Sequence, residues 1–136
     1  MRSRLYLYFV FVLTALATGC TLTQPKPAPI VDISYGRSQA SRNGDQYLEV
    51  GLKQYDQGQY KRATSALLQS LEAGLSPAKQ IVAHKHLAFI YCTSNKVSLC
   101  RHQFNKAIEV DPGFELAPAE AGHPQWGPVF RSVKSR

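Results

Sequence analysis

Two segments of this 136-residue chain carry the same order of large and small residues, displaced by 37 positions. The large residues recur at three- and four-residue spacing in both segments, which is typical of amphipathic helices. A turn-forming residue, Gly58 or Asn95, interrupts each segment at the equivalent position. The matched pairs are Val50/Leu87, Gly51/Ala88, Ala63/Cys100, Leu67/Phe104, Ser70/Ala107 and Leu71/Ile108. The pattern predicts an all-α fold built from two copies of a helical hairpin.

Start and stop signals place four helices along residues 44–109. The first begins near Gly44 and ends before Gly58, and the second ends at Gly74, a residue suited to a helix C-terminus. Ser76 and Pro77 form an N-cap and first-turn signal for the third helix. The fourth runs from about Lys96 to Glu109, before the Asp-Pro-Gly at 111–113, and no β pattern of similar length competes.

This arrangement resembles the tetratricopeptide repeat, a helix pair of about 34 residues. In that family small residues lie where the two helices approach most closely, and Gly51 with Ala63 and Ala88 with Cys100 match those positions. The resemblance covers residues 44–114 and implies two stacked hairpins.

The C-terminal segment is expected to close the stack, because two repeats bury too little apolar surface and about three are usually needed. Prolines prevent one long helix here, so we expect a helical turn near 114–121, an extended run over 122–128 and a final turn. The aromatic residues Trp126 and Phe130 have two interpretations: they cap the repeats, or they form a patch that binds a partner.

The N-terminus has the layout of a secretory signal over residues 1–19. Arg2 and Arg4 precede an uncharged apolar run, and small residues lead to Cys20. A membrane-spanning anchor is the rival interpretation, but the apolar run of about fifteen residues is shorter than the ~20 that a spanning helix needs.

The stretch "LATGC" resembles the lipobox of bacterial lipoproteins. This resemblance implies that Cys20 becomes the first mature residue and is acylated on both sulfur and amine. More than one acyl chain gives stable anchoring. Thr21 stands where an aspartate would indicate inner-membrane retention, which favours the periplasmic face of the outer membrane. We interpret residues 20–43, rich in proline and then in small polar residues, as a disordered lipid-anchored tether, and residues 44–136 as the domain.

The mature chain is basic. Removal of residues 1–19 takes two of the sixteen lysines and arginines, which leaves fourteen against nine carboxylates and a net charge of +5. A solvated charged face explains this charge, and an anionic surface is the alternative. Nucleic-acid binding is not expected, because the aromatic residues fall on the apolar stripes of the helices. A protein tethered to the outer membrane would also be kept away from nucleic acid.

Cys92 and Cys100 flank the predicted turn of the second hairpin. Because disulfides persist in oxidising compartments such as the periplasm, a structural disulfide is one interpretation. Free packed thiols, and metal or redox chemistry, remain the alternatives. A redox pair would need a Cys-x-x-Cys in a thioredoxin-like setting, and His84 and His86 are two residues apart on a helix, so we predict no metal site.

Catalytic motifs are not evident. The nine carboxylates are scattered, and neither a phosphate-binding glycine loop nor a nucleophile elbow occurs. We therefore expect no enzyme activity, no cofactor and no small-molecule substrate.

Residues 83–130 are similar, taken together, to the TssQ-type lipoproteins with tetratricopeptide repeats that accompany type VI secretion systems. The resemblance implies a protein–protein interaction adaptor at an envelope machine. Repeat domains of this kind bind partners on the face formed by the first helix of each pair. We expect the partner to contact this face or the C-terminal aromatics, with these candidates: Tyr47, Lys53, Gln54, His84, Lys85, Trp126 and Phe130. Alternatives are an adaptor for a pilus, an outer-membrane insertion complex or a signalling complex, and a thiol-active periplasmic enzyme.

Overall fold

The structure, a computed structural model, describes residues 33–135, with side chains from residue 39 onward. Over this part the chain is helical and forms no strand, which confirms the all-α prediction. The predicted signal peptide, Cys20 and the part of the predicted tether up to residue 32 lie outside the described residues. Six helices occur within the described range: α1 Ile33–Asp56, α2 Tyr60–Ala73, α3 Pro77–Thr93, α4 Val97–Val110, α5 Pro118–Ala121 and α6 Gly127–Lys134.

The two hairpins, α1–α2 and α3–α4, have the same turn. Gly58 and Asn95 both adopt positive φ, 72° and 59°. Glycine tolerates this conformation best, and asparagine tolerates it better than most other residues. In each turn the backbone amide of the residue that follows Gly58 or Asn95 donates to the carbonyl five residues earlier, as in a Schellman motif. These bonds are 2.8 Å long in both hairpins, from Gln59 to Gln54 and from Lys96 to Tyr91. The repeat seen in the sequence is therefore also a repeat of backbone hydrogen bonding.

Small residues bring the helices of each hairpin together, as predicted. A Cβ added to Gly51 would lie 2.8 Å from Leu67 Cγ, and one added to Gly44 would overlap the carbonyl oxygen of Gly74. In the second hairpin, Ala88 and Cys100 are completely buried.

Two groups of buried side chains form the core. The first fills the space between the hairpins and contains Leu48, Ala63, Leu67, Leu75, Ala83, Leu87 and Ile90. The second lies between α3, α4 and the C-terminal segment and contains Ala88, Phe89, Cys92, Cys100, Phe104, Leu116, Phe130 and Val133. Tyr55 and Tyr91 pack against both groups, so the two halves of the core are continuous.

Helix α1 begins eleven residues before the predicted start, at Ile33, so the part of the predicted tether over 33–43 is helical. Low apolar content led to the tether assignment for these residues. Once residues 44–56 are held against α2, adding further helical residues costs little, because nucleation is the expensive step. Composition alone does not reveal this extension.

The boundaries of α2 and α3 agree with their sequence signals, but the predicted N-cap hydrogen bond of α3 is not formed. Helix α2 ends before Gly74, which has φ 98°, and α3 begins at Pro77. Ser76 precedes α3 as predicted but makes no side-chain capping hydrogen bond. Its carbonyl instead accepts the Gln80 amide at 2.9 Å.

The C-terminal segment differs from the predicted extended run. Residues 122–126 form successive turns, and a two-turn helix, α6, follows them. Pro118 and Pro128 lie in the first turns of α5 and α6, where a missing amide is tolerated. The prolines prevent one long helix, as expected, but each of these two opens a short one.

Candidate functional site

The two cysteines of the second hairpin are joined by a disulfide. Their Cα atoms are 5.2 Å apart, within the range that the bond needs. Cys92 lies in the last turn of α3 and Cys100 in the first turn of α4, and both are buried. The prediction of a structural pair is confirmed in geometry. A buried, bonded pair presents no thiolate to a substrate.

Trp126 connects the C-terminal segment to α3. Its ring stacks on Phe89 with centroids 4.3 Å apart, and on its other face it stacks on His123 at 3.2 Å. The indole N–H donates to the carbonyl of Glu120 at 2.8 Å. With both faces and the N–H engaged inside the molecule, Trp126 acts as part of a cap.

Phe130 is also a cap residue. It is 3% exposed and contacts the rings of Phe104 and Phe114 edge to face, at 5.1 and 5.7 Å. The role of Phe130 as a partner contact stays a prediction, and in the folded chain its side chain closes the core and exposes little surface. Of the two interpretations of the C-terminal aromatics, the structure supports capping.

The cap continues an aromatic row across the face formed by α1 and α3. Tyr55, His86 and Phe89 follow one another edge to face, with centroids 5.0 and 6.0 Å apart, before Trp126 and His123. We call these five residues the aromatic row. Three of its members, Tyr55, His86 and Phe89, lie on α1 and α3, the helices on which a partner was expected.

His84 and Lys85 are held by internal contacts. His84 Nδ1 lies 2.7 Å from the Gln103 amide oxygen on α4, and Lys85 forms a 2.6 Å ion pair with Glu120 on α5. The Lys85 ammonium also lies 5.8 Å from the Phe89 ring centroid. Their role as partner contacts stays a prediction, and α4 and α5 already engage His84 Nδ1 and the Lys85 ammonium.

Burial lowers the pKa of both histidines of α3. For His84 desolvation outweighs the opposing hydrogen bond to Gln103, and for His86 it outweighs the hydrogen bond to the Val82 carbonyl. The Tyr55 hydroxyl, beside His86, has a raised pKa, first because it is buried and then because Tyr60 and Asp56 are near. The neutral forms of His84, His86 and Tyr55 are therefore favoured.

The remaining candidates lie on α1. Tyr47 is 42% exposed, Lys53 is exposed, and Val50, not predicted, is 45% exposed between them. With Gln46 and Glu49 they line a shallow depression of about 510 Å³, which we call the α1 face. Gln54 is half-buried nearby, and its Oε1 is buried with no hydrogen-bond partner among the described residues.

A second concavity, which we call the turn groove, lies between the first turns of α2 and the end of α3. Its volume is about 380 Å³, and its lining consists of Tyr60, Lys61, Thr64, Ile90, Tyr91, Ser94 and Lys96. Sequence reasoning missed this groove. The signal that was available is that Lys61 and Lys96 each follow a predicted turn, and the turns of stacked hairpins meet at one end of the stack.

Within residues 39–135 no group of three or more histidine, cysteine, aspartate or glutamate side chains is placed to hold a metal ion. None of the helices α1–α6 is long and apolar enough to cross a membrane.

Comparisons with known proteins yielded no relative. The sequence matches no protein-family model, no curated protein and no solved structure.

Proposed function

We propose that this chain is a lipid-anchored periplasmic adaptor, held at the outer membrane through Cys20, whose repeat domain binds another protein of an envelope machine. The proposal combines the lipobox-like stretch with one structural observation: the α1 face exposes Tyr47 and Val50 side by side on the first helix of the stack. Exposed apolar side chains rimmed by polar residues are typical of interaction sites.

The position of the α1 face supports its assignment. At the other end of the stack, α6 and Trp126 cover the last hairpin, so the apolar surface there is closed by the chain itself. Within the described residues, α1 has α2 and α3 as its neighbours, and the side that carries Tyr47 and Val50 packs against neither core group. A terminal repeat of a stack normally needs a polar outer surface, and this one is partly apolar.

The partner that suits the α1 face is a helix or extended segment with an apolar side chain for Tyr47 and Val50. Glu49 and Lys53, on the same face, are placed to pair with charges of either sign on that segment. Such rim charges set orientation and association rate more than affinity.

The machine that we propose is a type VI secretion system, for which the chain would be an accessory envelope component. This part rests on the similarity of residues 83–130 to TssQ-type lipoproteins. An adaptor for a pilus, an outer-membrane insertion complex or a signalling complex would use the same surface. Genes for sheath and baseplate components beside this one would favour the secretion system.

A photo-crosslinking amino acid at Tyr47 in cells tests the adaptor function. We expect a defined cross-linked partner, which disappears when Val50→Asp is added. The matched control is Leu68→Asp, since Leu68 is 38% exposed on α2 and lies outside the α1 face. Equal loss with both variants, or no cross-linked partner at all, would contradict the proposal.

The anchor has a separate test. We expect the natural chain to fractionate with the outer membrane and a Cys20→Ser variant to appear in the soluble periplasm. A Cys20→Ser variant that remained in the membrane fraction would refute acylation at this position.

A further inference from the structure

We infer that the turn groove binds a short acidic peptide segment of a partner protein, with an apolar side chain against the rings of Tyr60 and Tyr91 and carboxylates at Lys61 and Lys96. The inference deepens the adaptor proposal, on which its biological role rests, by giving the chemistry of one partner segment. It concerns a surface separate from the α1 face.

The lysines of the groove differ from most others in the described part of the chain. Four lysines are in ion pairs with carboxylates: Lys79, Lys85, Lys106 and Lys134. Lys53, Lys61 and Lys96 form no ion pair with any residue in 39–135. Two of these three line the turn groove, and no carboxylate is among the seven residues of its lining.

Basic side chains outnumber acidic ones at this end of the stack. Arg62 and Arg101 lie in the first two turns of α2 and α4, at the end of the stack where both hairpins turn. Asp56 is the carboxylate nearest in sequence to this end. Other carboxylates lie toward the opposite ends of the helices: Asp45, Glu72, Glu109 and Asp111. A concavity lined by one sign of charge concentrates ligands of the other sign.

The floor of the groove is apolar, which selects a peptide over a bare anion. The half-buried ring of Tyr91 provides accessible apolar surface, whereas Ile90, 4% exposed, belongs to the core. Tyr60, 45% exposed, adds a ring at the rim. A volume of about 380 Å³ is within the usual range for ligand sites, about 300–1,000 Å³, and accommodates a side chain with its neighbouring backbone.

The same geometry disfavours a lipid surface as the occupant. A planar array of headgroups contacts exposed lysines, but it does not enter a concavity between two helices. An extended segment fits this requirement because alternate side chains point to opposite sides. One apolar side chain then enters the groove while flanking carboxylates reach the lysines at its rim.

The test uses the full-length protein in detergent and a fluorescein-labelled peptide with one leucine between pairs of glutamate and aspartate. Fluorescence anisotropy should show saturable binding that weakens with salt, because exposed charges are screened over about 10 Å at 0.1 M. The double variant Lys61→Glu/Lys96→Glu should bind on the order of tenfold more weakly. Thr64→Phe, which fills the groove and keeps both lysines, should also lose binding.

Lys79→Glu is the matched control, because it makes the same charge change at an exposed lysine of α3 that lines neither the turn groove nor the α1 face, and it should leave peptide affinity unchanged. Equal weakening by Lys79→Glu, or full binding by Thr64→Phe, would overturn the groove assignment. So would binding to phosphatidylglycerol vesicles without binding to the peptide. Failure of the adaptor proposal appears elsewhere, as absent cross-links at Tyr47 together with normal peptide affinity.

Discussion

At the scale of single residues, buried side chains with defined partners determine how the stability of this domain responds to reducing agent and to pH. The disulfide, the two histidines of α3 and Trp126 all have their polar or reactive atoms directed into the molecule. Their chemistry therefore affects the stability of the fold.

The disulfide should stabilise the domain. The double variant Cys92→Ala/Cys100→Ala is expected to lose about 2–3 kcal/mol of unfolding free energy, since the bond restricts the unfolded chain over a short loop. Urea unfolding measures the change. The natural chain in reducing agent should show a similar loss, and the reduced double variant should lose nothing more. An unchanged urea midpoint after reduction would contradict a stabilising role.

Stability should fall as the pH decreases below about 6.5. Burial lowers the pKa of His84 and His86 in the folded state, whereas the unfolded chain titrates near 6.5. Below that pH the unfolded state binds more protons, so the free energy of unfolding decreases as pH falls from 6.5 through the lowered values. Urea midpoints at pH 7.5 and 5.5 measure this difference.

The histidine pair can be separated from other titrating groups by substitution. His84→Gln/His86→Gln should reduce the pH dependence, while His102→Gln, at an exposed position, should retain it. The same pH dependence in the double variant and the natural chain would contradict the assignment.

At the scale of helices, close approach and capping hold the stack together. In the first hairpin, glycines allow the two helices to approach closely. In the second hairpin, a disulfide joins the helices, and aromatic residues of the C-terminal segment attach that segment to α3 and α4. These are three different solutions to the same problem of joining short helices.

Gly44→Ala should destabilise the first hairpin. Alanine favours an exposed helix over glycine by about 1 kcal/mol, but here its Cβ would overlap the carbonyl oxygen of Gly74 in the backbone. Separating the helices to relieve this overlap should produce a net loss of about 1–3 kcal/mol. Thermal unfolding measures it, with the exposed Asn43→Ala as the control. A raised midpoint for Gly44→Ala would show that the approach is looser than described.

Phe130→Ala should show whether α6 is a cap. Removing this buried ring is expected to cost about 3–5 kcal/mol, because it contacts Phe104 on α4 and the Phe114 ring. Leu99→Ala, at a residue 44% exposed, should cost about 0.5 kcal/mol or less. Similar small effects for both variants in urea unfolding would indicate that α6 contributes little to the core.

At the scale of the whole molecule, the two core groups form one unit because Tyr55 and Tyr91 contact both. Trp126, the single tryptophan, lies where the C-terminal segment meets α3. Its fluorescence and the far-ultraviolet circular dichroism of the helices should therefore change together in urea, as expected for two-state unfolding. Separate midpoints would mean that the cap opens before the hairpins.

Periodicity, small residues and turn signals were sufficient to predict most of the architecture. The equivalence of Gly58 and Asn95 is visible at the 37-residue displacement, and the structure shows the same left-handed turn at both. These features are local, because a helix and its turn depend mainly on residues within a few positions. The early start of α1 was not predictable, since it depends on a helix already stabilised by α2.

What the sequence by itself determined is the repeat and its four helices, with Cys92 and Cys100 placed on either side of one turn. Tertiary structure alone decided which exposed candidates remain available. It engaged His84, Lys85, Trp126 and Phe130 in internal contacts, left Tyr47 and Lys53 on the surface with Val50, and formed the turn groove. The physical reason is that a side chain stays exposed only where no other segment packs against it. The segments that pack together here, such as α1 and the C-terminal segment with α3, are far apart in the sequence.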